Sequence, residues 1–257
     1  MRLRKTGILL LTAAAMLAAA DNPFIGKWKL NVAKSEFTGT TTTYEQTAAG
    51  QWQMTANDGQ SYKFRMDGKE YPATNGAVAI WKQVDSHTWE TSYKMNGVPA
   101  STGIRKLSSD GETMTAIFKG KKPNGESFEN STTEQRVAGG PGLAGKWKST
   151  QVNISAPDMM EVTAAGDGLS MRIPAWNETF DVKFDGKDYH PAGPTVPAGY
   201  TMSMKKTGPR SFEVIDKMNG KVTDTATETI SADGKTWTEV MTMAGSNEKT
   251  RAVFERQ

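Results

Sequence analysis

Side chains that could act in catalysis are scarce in this chain of 257 residues. It contains no cysteine, which excludes thiol nucleophiles, disulfides and thiolate metal sites. Its two histidines, His87 and His190, lie at turn-like positions and do not correspond to each other between the two halves of the chain. No serine elbow, zinc-binding histidine helix or phosphate loop occurs. The sequence therefore predicts a protein that is not an enzyme and that uses neither a metal nor a cofactor.

Methionine is the residue type whose distribution points to a function, namely the binding of apolar groups. Eight of the twelve methionines beyond residue 20 lie after residue 142. Met202 and Met204 share one face of a predicted strand, and Met241 and Met243 share one face of another. Because methionine is unbranched and adaptable, this pattern suits the lining of a promiscuous apolar cavity.

Aromatic residues extend the predicted lining into the first half of the chain. Trp81 and Phe118 occupy the places that correspond to Met204 and Met241. An alternative is that all these side chains simply fill two small cores. The candidate lining residues are Trp81, Trp89, Tyr93, Phe118, Met202, Met204, Phe212, Met241 and Met243.

These side chains need a scaffold to position them, and the sequence contains that scaffold twice. Four short segments recur in the same order at offsets of 118 to 123 residues. This spacing is too long for a solenoid unit of roughly 20–50 residues and suits a whole domain. The paired segments are Gly26–Lys29 with Gly145–Lys148, Asp67–Tyr71 with Asp185–Tyr189, Lys94–Gly97 with Lys217–Gly220, and Ser108–Gly111 with Ser231–Gly234.

The recurrence defines the expected domain boundaries. We take residues 21–137 as the first repeat and residues 143–257 as the second. Residues 138–142 read Ala-Gly-Gly-Pro-Gly, and such residues interrupt regular structure. We therefore expect them to link two separate barrel domains.

Residues 1–20 have the features of a secretory signal peptide. A basic start is followed by an apolar run at residues 7–17 and by Ala18-Ala19-Ala20, which suits cleavage. No cysteine follows that could carry a lipid anchor, and no other segment is apolar enough to span a membrane. The sequence thus predicts a secreted or periplasmic protein, and the absence of cysteine favours a bacterial source.

The charge balance gives no sign of a polyanionic partner. The chain has 31 basic and 28 acidic residues, and three of the basic ones lie within residues 1–20. The remaining chain is therefore formally neutral, with 28 residues of each sign. We expect no binding to nucleic acid.

Alternation of apolar and polar residues predicts that each repeat consists of β-strands. Tyr62, Phe64 and Met66 alternate with polar residues, and Phe180 and Val182 do so in the second repeat. We expect eight to ten strands per repeat, and a sheet of that length tends to close on itself. The predicted fold class is all-β, with two tandem antiparallel up-and-down barrels. A short helical turn is also expected near residues 31–36.

Pairs ending in glycine mark the predicted turns, because their residues tolerate positive φ angles. Asp67-Gly68 and Asp185-Gly186 directly follow strand patterns and predict tight hairpins. Further hairpins are expected at Asn96-Gly97, Asp110-Gly111, Asn219-Gly220 and Asp233-Gly234.

The first strand carries Gly26 and Trp28 in one repeat, and Gly145 and Trp147 in the other. This Gly-x-Trp start resembles the lipocalin and fatty-acid-binding (calycin) superfamily, and nearly the whole chain after residue 20 is similar to secreted bacterial proteins built from such repeats. In that superfamily the tryptophan closes one barrel end, and a basic residue of the last strand packs over its ring. The resemblance implies a barrel-closing role for these residues. The packing cations that it implies are Arg136 and Arg256.

One loop distinguishes the second repeat from the first. The offset between recurring segments rises from 118 to 123 because the second repeat has five extra residues within 190–200. This stretch contains Pro191, Pro194 and Pro197. Since long barrel loops often lie at an open end and carry function, we expect this loop to frame the entrance of the second barrel.

The leading expectation is a secreted or periplasmic protein that binds a small apolar ligand, a lipid or hydrophobic metabolite, without catalysis. One alternative is an envelope interaction module with filled barrels, which would bind a protein or glycan through an exposed apolar surface. A weaker alternative is an isomerase or hydrolase at a barrel mouth, which would need converging polar groups with shifted pKa values.

Overall fold

The computed structural model describes residues 22–95 and 97–257, so the predicted signal peptide at residues 1–20 lies outside the described part. The described residues form two nearly closed antiparallel barrels of ten and nine strands. This confirms the predicted fold class. Within the described part of the chain, none of the helical segments is long and apolar enough to cross a membrane.

The ten-stranded barrel is built from one continuous stretch of chain, residues 41–153. Its strands are β2 (Thr41–Ala48), β3 (Gln51–Ala56), β4 (Ser61–Phe64), β5 (Asp67–Pro72), β6 (Ala77–Gln83), β7 (Thr88–Met95), β8 (Val98–Leu107), β9 (Thr113–Lys121), β10 (Ser127–Ala138) and β11 (Gly145–Asn153). They lie in the order β4-β3-β2-β11-β10-β9-β8-β7-β6-β5.

The nine-stranded barrel combines the end of the chain with one strand from its beginning. Its strands are β1 (Gly26–Leu30), β12 (Met159–Ala165), β13 (Gly168–Ile173), β14 (Glu178–Lys183), β15 (Tyr200–Gly208), β16 (Ser211–Met218), β17 (Lys221–Ile230), β18 (Thr236–Met243) and β19 (Lys249–Arg256). They lie in the order β14-β13-β12-β1-β19-β18-β17-β16-β15.

The first strand of each repeat lies in the barrel formed mainly by the other repeat. Strand β1 pairs with β12 and β19, while β11 pairs with β2 and β10. Residues 138–142, expected to link two domains, therefore connect neighbouring strands of the ten-stranded barrel. The chain passes between the barrels at residues 31–40 and 154–158 instead. The barrel boundaries thus differ from the repeat boundaries at residues 137 and 143.

One end of each barrel is closed by a tryptophan with an arginine over its ring. The guanidinium carbon of Arg256 lies 4.2 Å from the ring centroid of Trp28, and Arg136 has the same distance to Trp147. Both tryptophans are fully buried. Because the first strands are exchanged, each arginine packs on the tryptophan of the other repeat.

The glycine two residues before each tryptophan leaves room for this arrangement. Gly26 has a φ of 143°, and a Cβ atom there would lie 2.4 Å from Nη1 of Arg256. At Gly145, with a φ of 138°, a Cβ atom would lie 2.5 Å from the carbonyl oxygen of Ala138. The Gly-x-Trp spacing therefore has a steric cause in both barrels.

The turn predictions hold in part. Asn219 and Gly220 both have positive φ and join β16 to β17, as expected. By contrast, Asp67-Gly68 does not form a hairpin, because β4 and β5 lie at opposite edges of their sheet. Instead, Oδ1 of Asp67 accepts a hydrogen bond from the amide of Lys69, and its Oδ2 accepts one from the Tyr71 hydroxyl.

The second copy of this turn has the same geometry. Asp185 accepts hydrogen bonds from the Lys187 amide and from the Tyr189 hydroxyl, both at 3.0 Å. Like its counterpart, it follows an edge strand and is not a hairpin. The recurring Asp-Gly-Lys-x-Tyr sequence is thus a side-chain-closed turn that leads the chain from one sheet edge towards the other.

Helical structure is confined to 3₁₀ turns in the described residues. Val32–Lys34 confirms the turn expected near residues 31–36, and Oδ1 of Asn31 caps it by accepting the Lys34 amide at 3.1 Å. The others are Thr74–Gly76 and Pro174–Trp176.

The proline-rich loop after Tyr189 lies along the gap between the edge strands β14 and β15. Ala192 and Thr179 of β14 exchange two backbone hydrogen bonds of 2.8 and 2.9 Å. Tyr189 and Met202 of β15 exchange two of 2.8 and 2.9 Å. This segment therefore bridges the two edges and completes the wall of the nine-stranded barrel.

Candidate functional site

Four neighbouring strands, β15 to β18, place the candidate functional side chains inside the nine-stranded barrel. Along β16 the residues Phe212, Val214 and Asp216 alternate with the exposed Glu213 and Ile215. Since side chains alternate across a strand, the first three share the inner face. Strand pairing extends that face across the sheet, because Asp216 lies opposite both Met202 of β15 and Asp224 of β17.

The floor of this interior is an aromatic cluster. The ring of Trp237 lies 5.6 Å from Trp28 and 4.9 Å from Phe24, measured between centroids. Phe212 packs on the same group, 6.1 Å from Trp237. Edge-to-face contacts of this kind add stability beyond the area that they bury. The floor is thus a closed and well-packed end of the barrel.

Above this floor lies an inner cavity of about 180 Å³. Most of its wall is apolar, with four carboxylates close together on β16, β17 and β18 and one more directly before β12. The lining residues are Asp158, Met160, Met171, Ile173, Phe180, Met202, Phe212, Val214, Asp216, Asp224, Ala226, Glu228, Trp237, Glu239, Met241 and Phe254.

The four carboxylates on β16 to β18 form two pairs, each directly opposite across neighbouring strands. Asp216 faces Asp224, and Glu228 faces Glu239. Glu228 is only 4% exposed, and its Oε2 accepts a hydrogen bond of 2.5 Å from the Trp237 indole. Oδ2 of Asp224 accepts one of 3.0 Å from the Thr223 hydroxyl.

Burial changes the ionisation of these carboxylates. It raises the pKa of Asp216 to about 8, and the nearby charge of Asp224 adds to the effect. Burial also raises the pKa of Glu228 well above its usual range, with a further contribution from Glu239. The pKa of Glu239 is raised by burial as well. Part of the acidic wall is therefore protonated at neutral pH, which makes it a donor as well as an acceptor of hydrogen bonds.

The fifth carboxylate of the lining, Asp158, is already paired. Its Oδ1 lies 2.8 Å from the ammonium of Lys122, which comes from the ten-stranded barrel and has a side chain only 3% exposed. The Trp176 indole also donates to both oxygens of Asp158, at 3.0 and 3.1 Å. Asp158 therefore joins the two barrels at the edge of the inner cavity.

The predicted lining residues of the second repeat fall into two groups. Met202, Phe212 and Met241 line the inner cavity. Met204 is fully buried in the surrounding core instead. Met243 lies at the end of β18, where its sulfur is 3.9 Å from the amide nitrogen of Asn57 in the ten-stranded barrel.

The predicted residues of the first repeat belong to the interior of the ten-stranded barrel. Trp81 and Trp89 are buried in its core, with Tyr93 packed against them. The ring of Phe118 lies 5.1 Å from the guanidinium carbon of Arg105. The structure therefore separates the nine predicted lining residues into two barrels with different interiors.

Arg105 is a charged interior residue that the sequence pattern did not reveal. It is 6% exposed, and its guanidinium carbon lies 5.4 Å from the Trp81 ring centroid and 5.9 Å from that of Tyr44. Burial raises the pKa of the nearby Glu134, and the charge of Arg105 opposes that shift. The Arg105 Nε, the Tyr44 hydroxyl and the Glu134 Oε2 have no hydrogen-bond partner among the described residues.

The two histidines lie outside both interiors. Nδ1 of His87 is 2.8 Å from the Ser86 hydroxyl in an exposed turn, and Nδ1 of His190 is 2.7 Å from the Tyr200 carbonyl oxygen. Across residues 22–95 and 97–257, no group of three or more histidines, cysteines or carboxylates is arranged to hold a metal ion.

No protein-family model and no curated protein matches the chain.

Proposed function

We propose that this is a lipocalin-like secreted or periplasmic protein that binds a small, largely apolar molecule in the inner cavity without chemical change. The observation that carries this proposal is the cavity itself, with Met202, Met241 and Phe180 in its wall. Apolar pockets with a few placed polar groups are the usual form of small-molecule sites. The closed barrel end, with its Gly-x-Trp and stacked arginine, supports the lipocalin-like relationship.

The volume of the cavity limits the ligand. About 180 Å³ is close to the roughly 150 Å³ of an engineered apolar cavity that holds benzene, and below the roughly 300–1,000 Å³ of pockets for drug-sized molecules. We therefore propose a compact ligand of one ring with a short substituent, and not a lipid with a long acyl chain. Methionines in the wall would allow related molecules to bind by changing rotamers.

Filling the cavity tests this proposal. Ala226 lines the cavity, and Ala226→Leu places three more carbon atoms inside it. We expect wild type to bind propylbenzene in calorimetric titration and Ala226→Leu to lose at least tenfold in affinity. The control is Val222→Leu, because Val222 lies on the same strand and is exposed. Equal binding by wild type and Ala226→Leu would contradict the proposal.

The interaction-module alternative is favoured by a groove on the ten-stranded barrel. The groove has a volume of about 1,030 Å³ and includes Ile80, Pro99 and Phe128 among its lining residues, together with Lys119 and Lys121. Substituting Phe128→Ser would lower the affinity of a protein or glycan that docks in this groove, and it would leave the affinity for propylbenzene unchanged. That result separates a surface function from the cavity function.

The enzyme alternative is favoured by the raised pKa values of Asp216 and Glu228, since a protonated carboxyl at neutral pH can act as a general acid. A protein that only binds its ligand leaves the ligand unchanged, whereas an enzyme converts it. Mass spectrometry of small molecules extracted from the purified protein should recover the same compound before and after prolonged incubation. Accumulation of an altered compound would establish the enzyme alternative.

A further inference from the structure

The inner cavity has two chemically different walls, one of apolar side chains and one of carboxylates. We propose that it selects a small organic cation, a protonated amine attached to a compact apolar body. This inference rests on the proposed function, because it specifies the ligand class of the same cavity. The amine would lie against the carboxylates of β16 to β18, and the body would lie against the methionine and aromatic side chains.

The first argument is the arrangement of the acids. Asp216 and Asp224 are directly opposite across two strands, and Glu228 has the same relation to Glu239. Like charges at directly opposite positions destabilise a sheet and burial increases the cost, so without a cation beside them some of these acids stay protonated. Among the ion pairs of the described residues, none involves any of these four. The described lining residues also include no lysine, arginine or histidine.

The second argument is an unused acceptor. Oδ1 of Asp216 is buried and has no hydrogen-bond partner among the described residues, although Asp216 lines the cavity and the Tyr200 hydroxyl interacts with its carboxyl group. A primary ammonium group offers three N–H donors and no acceptor. Such a group would satisfy this oxygen and offset the repulsion between Asp216 and Asp224. A neutral donor could satisfy the oxygen but would not offset the repulsion, and an anion would increase it.

The third argument comes from the other barrel, which closes without these acids. The positions of Asp216 and Asp224 correspond to the cross-strand pair Tyr93 and Ser101 in the ten-stranded barrel. The corresponding pair for Glu228 and Glu239 is Arg105 and Ala116, which are also directly opposite. The same scaffold thus forms with no acidic pair at either level. The four carboxylates are therefore a property of this cavity and not a requirement of the fold.

Two ligands of equal size and different charge test the inference. We expect 2-phenylethylamine to bind the full chain at least tenfold more tightly than propylbenzene in calorimetric titration at neutral pH. Both Asp216→Asn and Glu228→Gln should reduce this preference to less than threefold. Asn and Gln cannot ionise beside the amine, so each variant loses a carboxyl group that the ammonium would hold in its charged form. Circular dichroism verifies that both variants are folded.

A matched substitution in the other barrel is the control. Glu134→Gln removes a buried carboxylate from the ten-stranded barrel and should leave the preference for the amine unchanged. Equal affinity for the amine and for propylbenzene would overturn the cation inference and leave the proposed function standing. If neither compound bound, both would fail. Displacement of the amine by equimolar calcium would also overturn the inference, since it would identify the acids as a site for an inorganic ion.

Discussion

One position on the inner face has a basic residue in one barrel and an acidic residue in the other. Arg105 lies opposite Trp89 in the ten-stranded barrel, and Glu228 lies opposite Phe212 at the same place in the nine-stranded barrel. A buried charge is tolerated only with compensation. Aromatic faces surround Arg105, whereas Glu228 shares its surroundings with a second carboxyl group and is held protonated. The two interiors therefore favour ligands or cores of different polarity.

The raised pKa of Asp216 makes stability depend on pH. In the folded protein it is about 8, compared with an ordinary value of 3.8, so the folded state binds more protons between these values. The stabilisation is fully present below about pH 4 and is lost as pH rises through 8. We expect the free energy of unfolding of the full chain in urea to fall by about 1–3 kcal/mol between pH 5 and pH 8.

The variant Asp216→Asn tests whether Asp216 causes this pH dependence of stability. Asp216→Asn should reduce this pH dependence, because the amide does not titrate. Glu134→Gln, in the other barrel, should retain most of it. A wild-type protein equally stable at pH 5 and pH 8 would show that Asp216 ionises normally.

At the level of elements, the sequence predicted the strands well but could not predict which barrel receives each first strand. Residues 26–29 and 145–148 have the same sequence, Gly-Lys-Trp-Lys. Either segment could therefore close either barrel with the same tryptophan and the same arginine stack. Only the paths of residues 31–40 and 154–158, which carry the chain between the barrels, distinguish the two arrangements.

The sequence predicted only the apolar part of the candidate site. Met202, Met241 and Phe212 follow the apolar alternation and were found by it. Glu228 shares the inner face of β17 with Ala226 and Ile230, so the period-two pattern did contain the signal. Acidic residues on strands normally face water, however, and a buried pair of carboxyl groups contradicts that rule. Violations of this kind are expected at functional sites, where local preference is given up for binding.

The exchange of the first strands between the barrels predicts which fragments of the chain fold on their own. Residues 36–153 include all ten strands of one barrel, whereas residues 154–257 lack β1 between β12 and β19. We expect the fragment 36–153 to fold alone and to unfold cooperatively, as measured by circular dichroism. The fragment 154–257 should fold only when a peptide of residues 22–37 is added. Division at residue 140 should yield two unstable halves, and two stable halves from that division would contradict the exchange.

In the whole molecule, the two barrels are joined by a buried cation as well as by the two chain crossings. Lys122 follows β9 of the ten-stranded barrel, and its ammonium donates to the Ala156 carbonyl and to Asp158, both at 2.8 Å. Asp158 lies at the edge of the inner cavity of the other barrel. A second contact joins Lys148 to Glu248 at 2.7 Å, but both side chains are substantially exposed. The Lys122 contact is therefore expected to dominate the coupling, since exposed pairs contribute little.

Replacing Lys122 by methionine tests this coupling. Lys122→Met keeps most of the buried volume but leaves Asp158 without its cation, and we expect a loss of about 2 kcal/mol in the free energy of unfolding. We also expect one calorimetric transition for the wild type and two for the variant, one for each barrel. Lys119→Met is the matched control, because Lys119 pairs with Glu129 on the same part of the barrel and both side chains are largely exposed. If Lys122→Met kept one sharp transition, the barrels would be coupled through the strand crossings at residues 31–40 and 154–158, and the buried cation would be dispensable.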